Sequence, residues 1–197
     1  MRKLIPFILF LCGTEAIFAQ NSYKKLLDTA VGTSRSIYVN ANPITNIKLD
    51  AAKMWDYYNE YIEDSKLVLD TVMFAQIIKN SQQPDKTLWT DRELDKSILI
   101  KNVSEPIDIN YVLSKFNITD KSQIKAYKKT IGNFNATKSY DRDIYSYSKP
   151  VFDDSQKYAI IQWDNGHNGV VGGGAIVLFH LSEDGWEELG TITSWKY

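Results

Sequence analysis

"KYAIIQWDNGHNGVVGGGAIVLFHLSEDGWEELGTITSW", residues 157–195, decides the fold. It contains three β-rich runs, "KYAIIQW" (157–163), "AIVLFHL" (175–181) and "WEELGTITSW" (186–195). A glycine- and asparagine-rich segment separates the first two, and "SEDG", a turn signal, separates the second pair. Runs joined by such turns form an antiparallel meander. The middle run is apolar at successive positions, so both of its faces need cover and it belongs at the centre of the sheet. Ile160, Ile161, Val177, Phe179, Trp186 and Ile192 are the residues expected on its buried faces.

Upstream of residue 133 the apolar period shifts toward that of a helix. "NSYKKLLDTAVG" spaces Leu26, Leu27, Ala30 and Val31 on one face before Gly32. "SIYVNANP" reads as a strand halted by Pro43. "LDAAKMWDYYNEYIED" sets Trp55, Tyr58 and Ile62 beside Tyr57 and Tyr61, an aromatic stripe expected to be a core face, with Asp50 as N-cap. "DTVMFAQIIKNSQQP" reads as a helix capped by Asp70, although its β-branched start competes as a strand. Thr90 and Glu93 have capping-box spacing ahead of a strand-like "SILIKNV". "IDINYVLSKFN" gives a short helix, and "DKSQIKAYKKTIG" a clear one, capped by Asp120 and stopped at Gly132. The expectation is a single α+β domain over residues 20–197, its helices drawn from 22–132 and packed on an antiparallel sheet from the last third.

The first nineteen residues, "MRKLIPFILFLCGTEAIFA", place Arg2 and Lys3 before a short apolar run and end in a small residue, the layout of a cleaved export signal. The run is too short to span a bilayer. Leu11 before Cys12 is the wrong residue for lipid attachment, so cleavage after Ala19 and a secreted or periplasmic product are expected. Cys12 is the single cysteine of the 197 residues and leaves with the signal. A thiolate nucleophile and a disulfide framework are thereby set aside. Removing Arg2, Lys3 and Glu15 leaves a net charge near −2, a poor match to nucleic acid, which draws affinity from basic side chains.

The glycine segment does not fit a phosphate loop, which needs a strand, then glycines, then a helix N-terminus with a following Lys and Ser or Thr. Here the glycines lead into a strand. Gly172, Gly173 and Gly174 are read instead as supplying a positive φ or close backbone approach. The polar loop residues Trp163, Asp164, Asn165, His167 and Asn168 are the ligand-binding expectation, because binding residues concentrate on such loops. His167 with Asp164 would also serve a hydrolase as an oriented base, the alternative reading. His167 and His180 are the only histidines and do not form a metal motif, so neither metal nor cofactor is expected. "SQIK" at 122–125 and "KTIG" at 129–132 imitate penicillin-recognising elements, but both lie in one helix and the second is a residue too long.

Ser148, Pro150 and Phe152 in "SKPVF", Tyr158 and Ala159 in "KYAII", Gly172 to Gly174, and Gly185 with Trp186 form a pattern. Over about 50 residues it resembles the C-terminal part of small uncharacterised secreted bacterial proteins. The resemblance implies export and a closing sheet and lends no activity. Together these readings favour a non-catalytic exported binding domain of the bacterial cell envelope, its partner a protein or small ligand there.

Overall fold

The computed structural model describes residues 21–32, 38–64, 70–166 and 172–197. The export signal with its cut after Ala19, and His167 and Asn168, lie outside the described residues, as do the side chains of Tyr58, Tyr61 and Ile62. In chain order the elements are helix α1 (21–31), β1 (Tyr38–Asn40), α2 (Ala51–Asp64), α3 (Thr71–Ser81), β2 (Ile98–Ile100), α4 (Ile109–Lys115) and α5 (Lys121–Ala136). A 3-10 turn (Ser139–Asp141) then leads to β3 (Ser146–Tyr147), β4 (Val151–Phe152), β5 (Tyr158–Asp164), β6 (Gly173–Ser182) and β7 (Gly185–Lys196). The fold is α+β.

Strands β3 to β7 form one antiparallel sheet in the order β3-β5-β6-β7, with β4 sharing β5 beside β3. The apolar middle run is the central strand β6, as its two-sided hydrophobicity requires. Strands β1 and β2 pair in parallel, and β1 reaches the large sheet through Asn40 N–H to Tyr145 O (2.8 Å) and Tyr145 N–H to Tyr38 O (2.9 Å). Parallel pairing of two short strands some 60 residues apart leaves no local signal, so sequence reading found the strands but not their partner.

Side-chain alternation along β5 and β6 splits the core in two. Ile160, Ile176 and Leu178 meet Met54, Phe74 and Ile77 from α2 and α3 on one face. Ile161, Val177 and Phe179 meet Leu26, Leu27 and Trp89 on the other. Ile98, Val112, Ile131 and Phe134 form a third cluster under β1, β2, α4 and α5. Ile160, Ile161, Val177, Phe179, Trp186 and Ile192 are all buried.

The helix caps follow the sequence. Asp70 accepts from Val72 N–H (2.8 Å), Asp108 from Asn110 N–H (2.9 Å), and Asp120 from Ser122 and Gln123 N–H, each relieving amides that the first turn leaves unpaired. Asp50 likewise accepts from Lys53 N–H at 2.9 Å. The stretch after Asp70 is helical, because Met73, Phe74 and Ile77 bury one stripe of it. Thr90 and Glu93 make the reciprocal capping-box bonds, yet the segment closes only a turn and not a helix.

Two readings need correction. Helix α5 runs through Gly132 to Ala136, because Ile131 and Phe134 anchor its last turns in the third cluster while Gly132 faces open space. In α2, Trp55 is 40% exposed, and the buried anchor is its neighbour Met54, with Tyr57 half-buried. Of the stripe's described side chains, Trp55 is thus turned to solvent while Tyr57 packs against the core.

The glycines act as backbone devices. Gly172 has φ +135°, a region that costs residues with a β-carbon, and Asn165 O lies 2.6 Å from where that carbon would sit. At Gly173 the same carbon would lie 2.6 Å from Trp195 O, so β6 and β7 approach there more closely than a side chain permits.

Candidate functional site

The face of the sheet nearest α1 is not fully covered. Each strand offers alternate residues to it: Tyr145 and Tyr147 at β3, Ile161 and Trp163 on β5, Val177 and Phe179 on β6, Glu188 and Thr191 on β7. Ala30, Val31 and Gly32 at the end of α1 close one side, leaving a cup of about 300 Å³. Glu188 and Thr191 both reach this face, although three apart, because β7 slips register against β6 between Leu178 and Phe179. Bulges of this kind re-aim side chains. The floor is buried and apolar, with Ile161 and Phe179 each 2% exposed.

Aromatic rings crowd one wall. Tyr145 lies 6.4 Å from Tyr147 with an interplanar angle of 19°, and 6.2 Å from Trp163 at 44°. Glu188 is the only charged residue in the lining among the described residues, and its side chain has no hydrogen-bond or ion-pair partner among them. The cup thus offers apolar contact, π-faces and one carboxylate.

The loop residues singled out from sequence divide between two tasks. Trp163 lines the cup. Asp164, the next residue along an alternating strand, is turned away from it: Oδ2 accepts from Trp195 Nε1–H (3.1 Å) and the Tyr197 hydroxyl (2.7 Å), and Oδ1 from Gly166 N–H (2.9 Å). Lys48 stands 4.4 Å above the Trp195 ring and completes this latch. Asn165 closes the β5–β6 hairpin, accepting from Gly173 N–H at 3.1 Å and donating its own N–H to Gly173 O at 2.9 Å. Of the three that are described, Trp163 alone lines the cup; His167 and Asn168 lie outside the described residues.

A buried ion pair flanks the same cluster. Lys149, 2% exposed, donates to Glu93 Oε1 at 2.5 Å and stands 3.9 Å over the Trp89 ring, while the Tyr23 hydroxyl donates to Glu93 Oε1 at 3.2 Å. Burial pushes the Glu93 carboxyl up, but the hydrogen bonds from Lys149 and Thr90 and the charge of Lys149 outweigh it and hold it below its ordinary range. Burial, then the Glu93 charge, raises the Tyr23 hydroxyl well above its ordinary value. Every charge in this set is matched, which marks it as a tie between α1, the Trp89 turn and the β3–β4 connection.

A wider depression of about 570 Å³ runs along β2 beside Leu88, Ile107 and Tyr111. Its Asp91 already accepts from the Tyr111 hydroxyl (2.6 Å) and from Lys115. Ser122 of the "SQIK" imitation donates to its own helix cap, Asp120. Among the described residues no group of three or more His, Cys, Asp or Glu converges as a metal site, and no helix is long and apolar enough to cross a membrane.

The sequence signals for the cup were faint. "YSY" at 145–147 has the period of a strand, but its meaning depends on pairing with Trp163, which local pattern cannot supply. No protein-family model, curated protein or solved structure matches this chain.

Proposed function

We propose that this chain is an exported, non-catalytic binding domain of the bacterial cell envelope, and that the cup on the α1 face of the sheet is its site for a small ligand. The observation that carries the reading is the cup itself: a concavity on the sheet, with a buried apolar floor, aromatic walls and the Glu188 carboxylate at its rim. Small-molecule sites combine these features, and their volumes begin at about 300 Å³. Export rests on the layout of residues 1–19 and on the C-terminal resemblance.

The test uses the purified protein, incubated with the small-molecule fraction of an envelope extract and examined by native mass spectrometry. Wild type should retain a small molecule that Thr191→Trp, which fills the cup from its β7 rim, does not. Equal retention by a folded Thr191→Trp would overturn the site. Sequencing of the exported protein should begin at Gln20, and a main extracellular species starting at Met1 would overturn the cleavage.

A further inference from the structure

We infer that the cup selects a small organic cation, an ammonium or quaternary ammonium group on an apolar body, a conclusion that rests on the cup being a ligand site. Three features converge on this chemistry. The rings of Tyr145, Tyr147 and Trp163 are grouped within 6.4 Å of the central Tyr145, and ring faces carry the negative part of the aromatic quadrupole. Glu188 adds a full negative charge at the rim. Among the described residues neither Lys nor Arg lines the cup beside it.

Other ligand classes fit less well. An anion would meet Glu188 with no cation to offset it. A neutral hydrocarbon would satisfy the floor but make no use of the carboxylate at the rim. A cation uses both. The protein already shows the same chemistry where Lys149 lies between the Trp89 ring at 3.9 Å and the Glu93 carboxylate at 2.5 Å. In the cup the rings and carboxylate are present, and a bound ligand would supply the cation.

The test compares choline with its neutral isostere 3,3-dimethylbutan-1-ol by isothermal titration calorimetry at low ionic strength. Wild type should bind choline at least about tenfold more tightly than the alcohol, a margin expected of ring and carboxylate attraction together. Glu188→Gln should remove most of that margin. Trp163→Leu should weaken choline further. Equal binding of the two probes to wild type would overturn the inference and leave the cup standing as a neutral apolar site, so the two readings fail separately. Absence of choline binding, or choline binding untouched by Glu188→Gln, would also overturn it. Because Glu188 is exposed on a strand edge, its variant folds and keeps the experiment decisive even if Trp163→Leu does not. Phosphatidylcholine vesicles separate two sources of the cation: sedimentation with vesicles that free choline competes away identifies a lipid headgroup, and choline binding without sedimentation identifies a free amine.

Discussion

Ile160, Ile176 and Leu178 face one side of the sheet, and Ile161, Val177 and Phe179 face the other. The strands are the same, yet the two sides differ. On the first, Met54, Met73, Phe74 and Ile77 from α2 and α3 close a continuous apolar layer. On the second, α1 and the Trp89 turn cover part of the surface, a buried ion pair ties them down, and the cup remains. The period-two alternation of a strand lets one sequence run supply a sealed core and one wall of an open cup at once. The two are thus partly separable by parity along β5 and β6.

The largest effects should come from the sealed side. Phe74→Ala should cost about 3–5 kcal/mol in denaturant unfolding, since Phe74 is fully buried among side chains that cannot collapse into its space. Phe179→Ala should fall at the low end of that range, because Phe179 borders the cup, where part of its surroundings is open space. Equal losses would erase the contrast between the faces. A loss below about 1 kcal/mol at either position would remove it from the core.

Next comes the ion pair. Glu93→Gln leaves Lys149 buried without its counter-charge and should cost about 2 kcal/mol at pH 7, less than for a fully buried pair because Glu93 retains some exposure. The sign of the pH dependence follows from the lowered Glu93 value. Its contribution is complete above the ordinary glutamate value of 4.5 and is lost as pH falls through the lower folded value. Wild-type stability should therefore decline below about pH 4.5, and Glu93→Gln should flatten that part of the decline. An unchanged acid profile in the variant would show that Asp91 and Asp95, whose carboxyls are also held low, carry the effect.

Gly173→Val tests the seam where both faces begin. Its β-carbon would meet Trp195 O at 2.6 Å, a backbone atom that cannot rotate away, and forcing them apart should cost about 1–3 kcal/mol. A neutral result in thermal unfolding would mean that the β6–β7 pairing relaxes there.

Much of this architecture was legible because it is local. The carboxylate caps at Asp70 and Asp120, the meander of β5, β6 and β7, and the glycine seam all arise from residues within a few positions of one another. What was not legible depends on distance. The cup joins residues 30–32 to residues 145–191, and Glu188 reaches it only because of a bulge that no residue pattern announces. Asp164 shows the opposite failure. Its loop position suggested chemistry, but the Trp195 and Tyr197 groups that occupy it lie about thirty residues away.

The smallest expected effect is the most informative about the open side. Glu188 is exposed, has no hydrogen-bond or ion-pair partner among the described residues, and sits at the rim of the cup on the edge strand β7. A side chain in that position contributes nothing through pairing, so Glu188→Gln should shift unfolding stability by less than about 0.5 kcal/mol. Among the described residues the structure gives it no work in holding the fold. If the variant instead lost more than about 1 kcal/mol, Glu188 would have a structural partner, and the carboxylate would belong to the covered part of this face. Chemical unfolding of wild type and variant at pH 7, at low and high salt, distinguishes the two: a salt-sensitive loss reveals a paired charge, and near-identical curves leave Glu188 available to a ligand.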